Sequence, residues 1–123
     1  MLQAIGEEAA LRKDYINEKV ETIYFGGGTP SLLQIADLAF QLEKLKIIFD
    51  LDKDAEITLE ANPDDITEEK LIDWKANGIN RLSIGVQSFV EADLKWMNRA
   101  HNATDALNCL QMATKYFDNI TID

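Results

Sequence analysis

Apolar residues along this chain recur at two different spacings, one typical of helices and the other typical of strands. The clearest helical stripe consists of Ile35, Leu38, Leu42, Leu45 and Phe49, within a predicted helix over residues 31–49. Further helices are predicted over residues 1–16, 67–77, 91–97 and 103–116. Runs of β-branched and aromatic residues predict strands over residues 20–25, 55–60, 81–86 and 119–122.

This alternation predicts βαβ units, in which right-handed helical crossovers join parallel strands. The strand spacing fits a βα barrel, and an open doubly wound sheet is the alternative that periodicity leaves open. A chain of 123 residues holds at most one domain with a modest core. The predicted fold class is therefore α/β, with about three to four βα units.

The charge balance and the single cysteine narrow the classes of function. A net charge of −10 disfavours nucleic acid, whose phosphates attract basic surfaces. No apolar run reaches the roughly 20 residues that span a bilayer, and the charged amino-terminal segment is unlike a signal peptide, so we expect a cytoplasmic protein. Cys109 alone forms neither an internal disulfide nor a multi-cysteine metal site, and its helical context predicts a small buried side chain.

Three consecutive glycines at residues 26–28, here named the glycine loop, follow the first predicted strand. Thr29, Pro30 and Ser31 come next and are typical of a helix start. One interpretation is a tight turn between strand and helix. The other is a loop whose backbone approaches a ligand with no Cβ in the way, beside the free N–H groups of a helix start.

Polar residues also follow the other predicted strands. Glu60 ends the second strand, Gln87 follows the third and Asp123 follows the fourth. Because the carboxyl ends of parallel strands meet at one edge of a sheet, we expect these side chains beside the glycine loop. Each also has a simpler interpretation: a solvated strand end for Glu60, turn chemistry for Gln87 and a frayed terminus for Asp123.

Four other residues receive structural interpretations. Arg99 follows a short predicted helix, where a cation can simply complement the helix end. His101 is the only histidine and is expected at the surface or as a cap. Trp74 and Trp96 lie on predicted helices, and both are expected to pack against the core.

Four motifs carry a resemblance to a known family. They are YFGGGTPS at residues 24–31, LEANP at 59–63, GINRLSIGVQSF at 78–89 and LKWMNRAH at 94–101. In this order and spacing they resemble the oxygen-independent coproporphyrinogen III oxidase family, a branch of the radical S-adenosylmethionine enzymes. The family also includes heme chaperones, and the resemblance extends along the whole chain.

The resemblance implies a partial parallel βα barrel that binds S-adenosylmethionine at its carboxyl-terminal face. The positions matching the family's cofactor contacts are Gly27, Gly28, Thr29, Glu60, Gln87, Arg99 and Asp123. The glycine and threonine positions match the loop that contacts the methionine part of the cofactor. The ligand chemistry agrees, because Glu60 and loop carbonyls can accept from an ammonium or hydroxyls, and Arg99 can pair bidentately with a carboxylate.

The chain departs from the family by lacking the C-x₃-C-x₂-C loop that holds a 4Fe–4S cluster. In the family, that cluster supplies the electron that cleaves S-adenosylmethionine to a 5′-deoxyadenosyl radical. We therefore expect residues 1–123 to be an internal piece of a radical S-adenosylmethionine core domain, with no catalytic or metal-ligating residue and no radical activity alone. The cluster, the electron donor and the porphyrinogen or heme substrate would belong to the full-length protein.

A partial sheet is also expected to leave strand edges unpaired and apolar barrel-facing positions uncovered. The isolated chain is therefore predicted to self-associate. A strictly monomeric species in light scattering at high concentration would contradict this prediction.

Three functional hypotheses follow. The full-length protein is an oxidase that converts coproporphyrinogen III propionates to vinyls by decarboxylation, or it is a heme chaperone without that activity. The segment MNRAH at residues 97–101 is somewhat closer to the chaperones. The third hypothesis is a nucleotide- or phosphate-binding α/β module, which is disfavoured because no lysine follows the glycines and the neighbouring residues are acidic.

Overall fold

The computed structural model describes residues 1–123 as five helices and four strands. The helices are α1 (Leu2–Leu11), α2 (Ile35–Ile48), α3 (Glu68–Ala76), α4 (Glu91–Trp96) and α5 (Ala103–Ala113). The strands are β1 (Val20–Phe25), β2 (Leu51–Ala61), β3 (Arg81–Ile84) and β4 (Ile120–Ile122). Short 3₁₀ turns cover Lys13–Tyr15, Pro30–Leu32 and Pro63–Asp65. None of the helices combines the length and apolar character that crossing a bilayer requires.

The four strands form one parallel sheet in the order β1-β2-β3-β4. Each strand pairs with the next strand in sequence, without the reversal of strand order that marks a doubly wound sheet. This order confirms the predicted α/β class and partial barrel. Both outer strands, β1 and β4, keep one unpaired edge.

The hydrophobic core lies between the sheet and the helices. Ile57, Leu59 and Ala61 alternate along β2 and join this core, as the two-residue period of a strand requires. The core residues contributed by α2, α3 and α5 include Leu38, Leu42, Leu71, Trp74, Ala106, Cys109 and Ala113. The helical stripe predicted for α2 is therefore confirmed at its central positions.

The two tryptophans, both expected to pack against the core, have opposite environments. Trp74 on α3 is 2% exposed and belongs to the core, whereas Trp96 at the end of α4 is 87% exposed. Helix α4 has six residues, of which Leu94 alone is buried. So short a helix has one inward position, and the expectation of a packed Trp96 is wrong.

The other face of the sheet is polar, which corrects the expectation of uncovered apolar positions. Arg81 on β3 donates to the Thr58 hydroxyl of β2 and the Thr121 hydroxyl of β4, at 3.2 Å each. Its guanidinium also lies 3.6 Å from the Glu56 carboxylate. Polar side chains from three neighbouring strands therefore form hydrogen bonds and an ion pair with one another on this face. Self-association through the unpaired strand edges stays a prediction.

Element boundaries differ from the predicted ones mainly where loops meet the sheet. Helix α2 begins at Ile35 instead of residue 31, because the turn Pro30–Leu32 comes first and residues 33 and 34 are extended. Strand β3 ends at Ile84 instead of residue 86, because the Val86 N–H turns back to the Ile84 carbonyl. Helices α1 and α5 end five and three residues early, and β2 begins four residues early.

Candidate functional site

A cavity of about 200 Å³ opens at the carboxyl ends of the four strands, and we name it the rim cavity. Its lining residues are Gly28, Thr29, Pro30, Glu60, Ala61, Asn62, Ser83, Gly85, Gln87, Arg99 and Asp123. The structure thus brings six of the residues named from the sequence around one space. The seventh, Gly27, contacts Glu60 directly.

The glycine loop holds the carboxylate of Glu60 in place. The Gly27 N–H donates to Glu60 Oε2 at 3.0 Å, and the Tyr24 hydroxyl donates to Glu60 Oε1 at 2.9 Å. Gly27 and Gly28 have φ of 77° and 66°, a conformation that glycine adopts without strain. At Gly26, a Cβ would lie 2.6 Å from a Tyr24 ring carbon and 3.1 Å from the Glu60 carboxyl carbon. The loop therefore requires glycine for its approach to Glu60.

Arg99 joins the ends of β2 and β3. Its Nη2 donates to the Gly85 carbonyl at 2.9 Å and, at 3.4 Å, to the Asn62 side-chain oxygen. A Cβ at Gly85 would lie 3.3 Å from the side-chain nitrogen Nε2 of Gln87 and 3.5 Å from Arg99 Nη2, so polar side chains already fill the space there. A guanidinium has five N–H donors, and those that Gly85 and Asn62 do not engage are available to a ligand.

Asp123 is tied into the sheet. Its N–H donates to the Ile84 carbonyl at 3.1 Å, and its carbonyl accepts from the Gln87 N–H. The Ser83 hydroxyl donates to Asp123 Oδ2 at 3.2 Å. These bonds continue the β3–β4 ladder, so the structure does not support the interpretation of Asp123 as a frayed end.

Five residues that line the rim cavity are not among the site residues predicted from the sequence. They are Pro30, Ala61, Asn62, Ser83 and Gly85. Counting back in steps of two from Gln87 along the third strand would have placed Gly85 and Ser83 on the same side. Ser83 also lies directly opposite Glu60 in the β2–β3 register.

His101 is buried, which corrects the expectation of a surface or capping histidine. The residue is 3% exposed, and its Nε2 lies 3.0 Å from the Val86 carbonyl oxygen. Its Nδ1 has no hydrogen-bond partner and lies 3.8 Å from the Asp64 carboxylate. The polar residues around it in the sequence suggested exposure, but the loop that contains it folds back under the rim.

Cys109 is buried as expected. Burial, with a smaller contribution from the Asp64 charge, raises the pKa of its thiol from 9.0 to about 11, so the thiol stays protonated at neutral pH. The chain contains no group of three metal-ligating side chains. Its residues therefore do not fit a 4Fe–4S cluster, which needs several thiolates.

The charged side chains of the rim cavity are complementary to a zwitterion of net positive charge. Its walls carry the carboxylates of Glu60 and Asp123 against the single guanidinium of Arg99, which leaves one negative side-chain charge in excess. S-adenosylmethionine carries an ammonium, a sulfonium and a carboxylate, so its charge is complementary. The carboxylates and the guanidinium that line this cavity match the two kinds of charged group of the ligand.

Comparison with known proteins gives concordant results. Residues 3–123 match the family model of the radical SAM superfamily. The chain is 42% identical over 110 residues to the heme chaperone HemW of Buchnera aphidicola, covering 87% of this chain and 28% of that protein. It is 40% identical over 122 residues to the mitochondrial radical S-adenosyl methionine domain-containing protein 1 of Bos taurus, covering 90% of this chain and 28% of that protein.

A solved structure is also similar. Coproporphyrinogen III oxidase (HemN) from Escherichia coli, described as a radical SAM enzyme, superposes with a TM-score of 0.86 at 31% identity, covering 99% of this chain and 29% of that chain. The chain thus spans less than a third of the length of these relatives.

Proposed function

The chain belongs to the radical S-adenosylmethionine superfamily, within the family of coproporphyrinogen III oxidases and heme chaperones, and from this membership we propose that its rim cavity is half of an S-adenosylmethionine site. The observation that carries the proposal is that one cavity is lined both by the carboxylate of Glu60, held by two hydrogen bonds, and by the guanidinium of Arg99. Six of the seven residues that the family resemblance implies line this one cavity, which supports the proposal.

Each residue has a defined part in the proposed site. Glu60, anchored by Gly27 and Tyr24, accepts from the ammonium or ribose hydroxyls. Arg99 pairs with the cofactor carboxylate through the N–H groups that Gly85 and Asn62 leave free. The remaining contacts are assigned to Gly27, Gly28, Thr29, Gln87 and Asp123. When S-adenosylmethionine is bound in a full-length relative, its sulfonium supplies radical chemistry on reduction.

Titration calorimetry of this chain with S-adenosylmethionine tests the proposal. We expect saturable binding that weakens with added salt, because the cavity and the ligand have opposite net charge. ATP is the matched comparison, and we expect no binding because the carboxylates repel its phosphates. Binding of ATP without binding of S-adenosylmethionine would favour the nucleotide-binding module instead.

The chain by itself is proposed to have no radical activity, because the ligands of the cluster are not among its residues. The full-length protein would hold the cluster on a C-x₃-C-x₂-C loop and receive its electron from a separate donor. In this proposal, residues 1–123 bind and orient the cofactor, and the rest of the full-length protein supplies the cluster.

For the full-length protein we propose a role with heme or porphyrin, for which chaperone and oxidase are the two candidates. Identity of 42% to a protein named as a heme chaperone supports the first, and the fold match to coproporphyrinogen III oxidase at 31% identity supports the second. We favour the chaperone. The purified full-length protein is expected to bind heme stoichiometrically and to leave coproporphyrinogen III unchanged under reducing, anaerobic conditions. Release of carbon dioxide from coproporphyrinogen III would select the oxidase.

A further inference from the structure

We infer that His101 is a positioning residue that holds Gln87 and Arg99 at the rim cavity, an inference that rests on the proposed cofactor site. The side chain is buried beneath the rim and touches neither the cavity nor its charged groups directly. Its only hydrogen bond runs to the carbonyl of Val86, the residue before Gln87. His101 itself follows Arg99 by two positions, so one side chain connects the two loops.

The Val86 carbonyl accepts the hydrogen bond that closes a strained turn. It accepts from the Ser88 N–H at 2.9 Å, which makes residues 86–88 a γ-turn with Gln87 at its centre. The φ of Gln87 is 70°, the sign that side chains other than glycine rarely adopt, and γ-turns with positive φ are rare and strained. The His101 bond uses the second lone pair of the same carbonyl and so stabilises the turn from beneath.

The bond also assigns the histidine tautomer. A carbonyl oxygen only accepts, so Nε2 carries a proton. Nδ1 is buried without a hydrogen-bond partner, and the nearest carboxylate, that of Asp64, is 3.8 Å away. Burying a polar ring is unfavourable unless its hydrogen bond offsets the cost. A space-filling role would be met better by an apolar side chain, so the directional bond to Val86 explains the histidine.

Gln87 and Arg99 depend on this geometry for their positions. The Gln87 N–H donates to the Asp123 carbonyl, and the Gln87 amide lies beside Gly85, whose carbonyl accepts from Arg99. If the turn relaxed, Gln87 would leave the cavity wall and the support of Arg99 would change with it. His101 therefore acts on the cofactor through these two residues.

The test compares His101→Gln with His101→Asn in the 123-residue chain. The glutamine amide nitrogen can occupy the place of Nε2, whereas the asparagine amide is too short to reach the Val86 carbonyl. Hydrogen exchange of the Ser88 N–H reports on the turn without any ligand. We expect exchange about tenfold faster in His101→Asn, the equivalent of one lost hydrogen bond, and close to the wild-type rate in His101→Gln. S-adenosylmethionine affinity is expected to fall in the asparagine variant and to recover in the glutamine variant.

Unchanged Ser88 exchange in a folded His101→Asn variant would overturn the positioning role whether or not the ligand binds. If Ser88 exchanges faster in His101→Asn but the wild-type chain does not bind S-adenosylmethionine, His101 keeps its role in the turn and the proposed cofactor site is overturned. If the asparagine variant does not fold, nitrogen-15 NMR of the wild-type imidazole at about pH 8, above the usual histidine range, decides. A proton on Nδ1 in place of Nε2 would overturn the inference.

Discussion

Replacing Glu60 with alanine is expected to weaken S-adenosylmethionine binding by about tenfold to a hundredfold, corresponding to the 1.5–3 kcal/mol of a hydrogen bond to a charged group. The substitution removes one of the two carboxylates of the rim cavity, together with the hydrogen bonds that this carboxylate accepts from the Gly27 N–H and the Tyr24 hydroxyl. Titration calorimetry of the variant beside the wild-type chain measures the change in affinity.

Two further variants separate the charge of Glu60 from its hydrogen bonds. Glu60→Gln keeps an acceptor for the Gly27 N–H but loses the charge, so its affinity should fall almost as far as that of Glu60→Ala. Tyr24→Phe keeps the carboxylate and removes one exposed hydroxyl bond, worth about 0.5 kcal/mol, so its affinity should change less than about threefold. Wild-type affinity in Glu60→Ala would remove Glu60 from the proposed site.

Replacing Trp74 with alanine is expected to reduce the free energy of unfolding by about 3–5 kcal/mol, the usual cost of truncating a buried aromatic side chain. Trp74 packs in the core among residues of the sheet and of α2, α3 and α5. Because whole domains are stable by only about 5–15 kcal/mol, the loss would be a large part of the total. Urea unfolding followed by circular dichroism measures it.

Trp96→Ala is the matched control for the same residue type. Because 87% of the Trp96 surface is exposed, its replacement should change the free energy of unfolding by no more than about 0.5 kcal/mol. If Trp74→Ala does not fold, the milder Trp74→Phe should still destabilise the chain more than Trp96→Ala does. Equal effects at the two positions would contradict the difference in packing.

Features that depend on neighbouring residues in the sequence were predicted correctly. Helix α3 begins within one residue of its predicted start at residue 67, where the Thr67 hydroxyl accepts from the Lys70 N–H, because capping is decided within one turn. The inward positions Leu38 and Leu42 of α2 follow from the helical repeat alone. The glycine loop lies at the end of β1, as the order of strand and glycines in the sequence predicts.

The start of α2 shows where local rules are insufficient. Thr29, Pro30 and Ser31 have the composition of a helix start, yet the helix begins at Ile35. Ser31 is instead buried, and its hydroxyl donates to Asp65 Oδ2 at 2.7 Å. Asp65 lies in the turn after β2, so a contact between two rim loops overrides the local capping preference.

The sequence by itself determined the α/β class, the number of strands and the residues placed at their carboxyl ends, because periodicity, caps and glycine conformations act over a few residues. Only the tertiary structure decided that His101 is buried, that Trp96 is exposed and that the open sheet face carries Arg81. These depend on strand register and on loops far apart in sequence packing together, and such contacts leave no short-range pattern. The rim cavity needed both, since the sequence supplied its side chains and the register of β2 with β3 brought Glu60 opposite Ser83.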